Sequence, residues 1–110
     1  MDARREHVRR LLQVDAYITD IHEQNPLPAQ IIDISRMGVA FVSNQPLPAN
    51  EQFILNFSFP GSPLRNEITL TVLHSAAIGT QGRYRNGARF ITISEECAER
   101  IFDYVTTAPA

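Results

Sequence analysis

Lysine is absent from this chain: all ten of its basic residues are arginine. Base composition of the source genome explains such a bias on its own. If it reflects selection, the planar arginine fork favours bidentate grip on phosphate or a guanine edge, which lysine does not reproduce. Cysteine is nearly absent too. The single Cys97 excludes an internal disulfide framework and points to a reducing compartment. Among apolar neighbours on a predicted helix, it reads as a small core residue. No apolar run approaches the roughly 20 residues that span a bilayer, and no apolar leader stands at the N-terminus. The expectation is a soluble cytoplasmic protein with no membrane partner.

Catalytic signatures are missing as well. His7, His22, His74 and Cys97 have none of the short paired spacings that build a zinc site, so no metal is expected and each histidine reads as a surface residue. No G-x-S-x-G elbow surrounds Ser35, and no Walker-type glycine loop occurs. The chain therefore reads as a non-enzyme without a cofactor. Gly79-Thr80-Gln81-Gly82 matches the G-x-x-G of an RNA-binding module, but that loop joins helices and this one joins predicted strands.

What is present suits one small domain. At 110 residues and 44% hydrophobic content, the chain supports a single core that buries roughly 65% of its unfolded surface. The formal net charge of -2 excludes a surface devoted to a nucleic acid polymer, so any anion site must be local. Arg4, Arg5, Arg9 and Arg10 crowd the N-terminus, while Glu95, Glu96, Glu99 and Asp103 crowd the other end.

Residues 1–10 hold little that is apolar and are expected to form a flexible basic arm, followed by a barrel domain over 11–107 and a tail at 108–110. From Leu12 to Thr19 apolar and polar residues alternate with the period of a half-buried strand. The prolines of Asn25-Pro26-Leu27-Pro28 break that pattern, and further strands follow at about 29–34, 39–43, 52–59, 68–78 and 83–93. Asn86-Gly87 is a strong hairpin signal. Folding back there would leave arms of only a few residues, so Gly87 is read instead as a bulge or close approach inside a long strand. Ser94 caps a helix whose stripe is Ala98, Ile101, Phe102 and Val105. These elements predict a mostly β fold, a six-stranded antiparallel barrel whose open end the C-terminal helix covers.

The polar knot Asp33-Ile34-Ser35-Arg36-Met37-Gly38 lies between two apolar runs. It reads as a tight turn at the sheet rim, with Gly38 free to take positive φ and Asp33 or Ser35 bonding to nearby backbone N–H groups. Alternatively, its side chains point outward as a binding corner. Arg5 and Arg9 are four residues apart in the arm, with Arg4 and Arg10 beside them. A cationic arm next to a carboxylate and a hydroxyl suits a ligand with phosphates and a hydrogen-bonding base. Arginine can hold guanine O6 and N7 while a carboxylate accepts from guanine N–H groups.

Arg5-Glu6-His7-Val8-Arg9 resembles the R-x-x-x-R element, and Asp33 to Gly38 the D-x-S-x-x-G element, of PilZ domains, bacterial receptors for cyclic di-GMP. Gly87 and Phe90 resemble a G-x-x-F feature late in the family's barrel. The resemblance implies that Arg5 and Arg9 bind phosphate and guanine edges, that Asp33 and Ser35 contact guanine, and that Gly38 holds the turn. Arg4 resembles the family variant that takes an intercalated ligand dimer. Arg36 and Met37 fill variable positions, although Arg36 adds charge, and Glu6 departs from a purely basic arm.

The expected function is a cyclic di-GMP receptor, monomeric or homodimeric, that signals to an unidentified effector protein in motility or biofilm regulation. Two alternatives remain open. One is a ligand-free protein–protein adaptor on the same fold, and the other is a small OB-like barrel for single-stranded nucleic acid, which would need exposed aromatics in a basic groove.

Overall fold

Phe53, Leu55 and Phe57 are buried while Gln52, Ile54 and Asn56 alternate with them at greater exposure. This period-two burial recurs on most strands of a closed antiparallel barrel, residues 38–43 being buried throughout. The structure, a computed structural model, describes residues 8–22 and 25–107. Its strands are β1 (Arg10–Asp20), β2 (Pro26–Ile34), β3 (Gly38–Ser43), β4 (Gln52–Phe57), β5 (Asn66–Ile78) and β6 (Arg83–Thr92), followed by the helix α1 (Glu95–Thr106). They are ordered β1-β2-β3-β6-β5-β4, and pairing of Tyr17–Asp20 with Phe53–Asn56 closes the ring. This is the six-stranded barrel with a C-terminal helix that the sequence predicts.

The interior is filled by Leu12, Ile18, Ile31, Ile34, Val39, Phe41, Leu55, Phe57, Ile68, Leu70, Val72 and Ile101, each below 2% exposed. The helix lies across the end of the barrel where β1 begins and β4 finishes. Tyr104 donates its hydroxyl to the Leu11 carbonyl at 2.5 Å and stacks near Phe59, and Arg100 donates to the Asn66 side chain at 2.8 Å. Ser94 caps α1 as predicted, accepting the Cys97 N–H at 3.1 Å. Glu95 and Glu96 stand in the first turn, where the helix dipole favours them.

Four expectations need correction. Pro26 and Pro28 do not end the sheet; they open β2, paired with Thr19 and Tyr17 of β1. The β2–β3 ladder starts only at Ala29, so the prolines lie where one side of the strand is unpaired and a missing N–H costs least. The fourth strand stops at Phe57, and Phe59 packs on the core from the loop beyond it. The helix is rotated relative to its predicted stripe. Cys97, Ile101 and Val105 face the core, while Phe102 is 43% exposed. Finally, Gly38 has no positive φ; among the described glycines that conformation occurs at Gly61, Gly79 and Gly82. Glycine is required there for a different reason, because a Cβ on Gly38 would fall well inside 3.0 Å of the Ala88 carbonyl oxygen on the neighbouring strand.

Gly87 does lie inside one long strand. Gly79 and Gly82 instead supply the left-handed residues of the β5–β6 hairpin.

Candidate functional site

The turn between β2 and β3 is built by Ser35. Its backbone N–H donates to the Gly38 carbonyl at 2.9 Å, and its Oγ accepts the N–H groups of Met37 (3.2 Å) and Gly38 (3.1 Å). The side chain is therefore turned into the hairpin, and the residue is 1% exposed. Of the two roles open to Ser35, the geometry fits the turn-forming one. Gly38 allows β3 to approach β6 closely enough for the Phe90 N–H to reach the Met37 carbonyl at 2.9 Å.

Asp33 is aimed outward by an irregularity in β2. Ile31 and Ile34 pair with Phe41 and Val39 on the core side, and the extra residue between Ile31 and Asp33 breaks the alternation, so that Asp33 pairs with outward-facing Ala40. Its carboxylate keeps 16% side-chain exposure. Arg9 donates Nε–H to Asp33 Oδ1 at 2.7 Å, and Arg85 of β6 approaches Oδ2 at 3.8 Å. One carboxylate thus stands between two guanidinium groups, each about half exposed.

That geometry leaves binding capacity on every partner. Arg9 uses Nε, so its terminal nitrogens can still donate, and Asp33 Oδ2 is only loosely approached and can still accept. The site carries a local positive excess on a chain of net charge -2, as a localised anion site requires.

A family comparison decides what this constellation belongs to: the PilZ domain family matches residues 3–107. The chain belongs to the PilZ family. PilZ domains are ligand-binding receptor or adaptor domains rather than enzymes. Among solved structures, the chain resembles the Bacillus subtilis inhibitor of motility MotI/DgrA with a TM-score of 0.76 and 16% identity, over 90% of this chain and 48% of that one. It resembles Borreliella burgdorferi PlzA in complex with c-di-GMP (0.64, 18% identity, 96% and 38% covered) and the PilZ domain of Escherichia coli YcgR with c-di-GMP (0.63, 11%, 90% and 86%). The chain spans about half of MotI and less than that of PlzA. No curated protein sequence matches it.

Within the PilZ motifs, Arg9 and Asp33 meet although 24 residues separate them. Arg4 and Arg5 lie outside the described residues. Arg10 points elsewhere: its Nη1 donates to the carbonyls of Tyr104 (2.6 Å) and Thr107 (2.8 Å), and its guanidinium covers the Tyr104 ring at 4.1 Å. It holds the C-terminal end of α1, where a cation is favoured. Arg36 lies over Phe102 at 4.8 Å from the ring centroid. Gly87 occupies β6 directly beside Ala40.

Sequence reading missed Arg85. The signal was available in the period-two placement of Arg83, Arg85 and Arg89 around Gly87, all exposed on the outer face of β6. Among the described residues no group of three or more histidine, cysteine or acidic side chains is placed to hold a metal. Burial pushes the Cys97 thiol above its usual pKa, with Arg100 opposing the shift, which suits a packed residue and not a nucleophile. No helix of the described residues is long and apolar enough to cross a membrane.

Proposed function

We propose that this PilZ domain is a receptor for cyclic di-GMP, bound between the R-x-x-x-R arm and the outer face of β2, β3 and β6. The Arg9–Asp33 contact carries the reading, because it brings the two motifs together around one carboxylate. Arg9 and Arg85 supply cations for the phosphates and for guanine O6 and N7, and Asp33 supplies the acceptor for guanine N–H groups. Arg4 and Arg5 add to the arm's grip, while Ser35 and Gly38 shape the turn that fixes Asp33. The c-di-GMP complexes of PlzA and YcgR support the ligand assignment.

Any residue that ligand binding fixes costs roughly 1–2 kcal/mol, offset by charge-assisted contacts. The surface formed on binding is read by an effector protein in the cytoplasm, in control of motility or biofilm formation. Titration calorimetry with cyclic di-GMP tests the proposal. Wild-type protein binds, and Arg9→Ala or Asp33→Ala weakens binding by about 1–3 kcal/mol each. A wild-type chain that gives no heat with the dinucleotide, while folded, overturns the receptor reading and leaves the ligand-free adaptor.

A further inference from the structure

Two strand irregularities on the barrel face each other. In β2, the extra residue before Asp33 turns that carboxylate outward. In β5 the register shifts between Val72 and His74. Ile68, Leu70 and Val72 point into the core, so strict alternation would send His74 inward after them. The shift reverses this: Val72 pairs with buried Ala88, and His74 pairs with outward-facing Gly87. The result is one row across four neighbouring strands, Asp33–Ala40–Gly87–His74, in direct register. Three strand spacings make it about 14 Å long, measured along the sheet.

The middle of the row is kept low. Ala40 has only a methyl group, and the space a side chain at Gly87 would take is filled by the His74 imidazole. A Cβ there would lie within 3.0 Å of the ring, at 2.7 Å from its Cε1. The ring therefore leans from β5 across β6 toward Asp33, and it remains exposed. Gly87 is not a positive-φ residue, so backbone conformation does not demand glycine here. What the missing side chain allows is the close approach of the exposed imidazole, which a methyl there would push aside.

We propose that His74 is the far wall of the nucleotide site, an imidazole that contacts a guanine base lying over Ala40 and Gly87 while Asp33 and its two arginines hold the near side. The assignment rests on the cyclic di-GMP reading above and adds to it a contact outside both sequence motifs. Gly87 acts through His74, as the positioning residue that lets the ring reach the base.

Calorimetric titration of cyclic di-GMP into wild-type, His74→Ala, Gly87→Ala and the double variant tests this, together with the His74 imidazole carbon–proton resonances during titration. His74 is exposed, so His74→Ala should keep the fold, checked by its thermal midpoint. Expected are a loss of affinity of about fivefold or more in His74→Ala, the size of one base contact, and a ring-current shift of the imidazole protons in the wild type. Gly87→Ala should lose a similar factor, because its methyl displaces the ring. The double variant should be no weaker than His74→Ala, as expected for residues sharing one contact. Wild-type affinity in His74→Ala, with unmoved imidazole resonances on a wild type that does bind, overturns the wall assignment and leaves the receptor reading standing. No binding by the wild type overturns both.

Discussion

The guanidinium of Arg36 lies 4.8 Å from the centroid of the Phe102 ring, which ties the tip of the β2–β3 turn to the exposed side of α1. A half-exposed phenylalanine in such a contact contributes little burial. Phe102→Ala should cost about 0.5–1 kcal/mol, well below the roughly 3–5 kcal/mol of a buried phenylalanine. Urea denaturation compared with Phe57→Ala checks this, and an equal loss in both would mean that α1 buries its Phe102 side.

Arg10 has no expected part in ligand affinity. Its bonds to Tyr104 and Thr107 are charge-assisted and close the end of α1, so Arg10→Ala should lower stability by about 1.5–3 kcal/mol. Its affinity for cyclic di-GMP should stay within about twofold of wild type once both proteins are fully folded. A larger loss of affinity would place Arg10 in the site after all.

Ser35→Ala removes the acceptor for two turn N–H groups. The expected outcome is a loss of about 1–3 kcal/mol in unfolding free energy, with weaker ligand binding following from a loosened Asp33. Weaker binding at unchanged stability would instead mean that the hydroxyl touches the ligand directly.

Cys97 makes a pH prediction whose sign follows from its raised thiol pKa. The unfolded thiol ionises near 8.5 while the folded one still holds its proton. The unfolded state then binds fewer protons, so stability falls as pH rises. The contribution is complete below about pH 8.5 and is lost as pH climbs through the raised folded value. Denaturation midpoints between pH 7 and 10 should show this decline, and Cys97→Ala should flatten it. The same burial predicts slow reaction of the native thiol with maleimide and fast reaction in urea.

Much of the fold was legible because burial follows period two along β4 and β6, and because Ser94 with two following glutamates marks a helix start. The motif residues Arg9 and Asp33 were legible through the four-residue arginine spacing and the Asp-x-Ser-x-x-Gly pattern, whereas their meeting depends on the β1–β2 pairing. What escaped was set by irregular pairing. The extra residues before Asp33 and His74 reverse which face a side chain takes, and a one-residue shift leaves no mark in composition. The misread glycine shows the same limit, since the clash at Gly38 comes from Ala88, distant in sequence and adjacent only through the β3–β6 pairing. The outward turn of Phe102 was set by how α1 meets the barrel end, which a repeat of three and four cannot specify between neighbouring stripes.

The barrel segregates its loops. The β2–β3 turn, the start of β1 and α1 share one end, whereas the Gly79–Gly82 hairpin closes the other, roughly 15 Å along β6 from Gly87. That hairpin is a natural attachment point: a fluorophore or an inserted epitope tag there would ride on the molecule without touching the rim. An engineered sensor would carry its reporter there, clear of the face that holds Asp33 and His74.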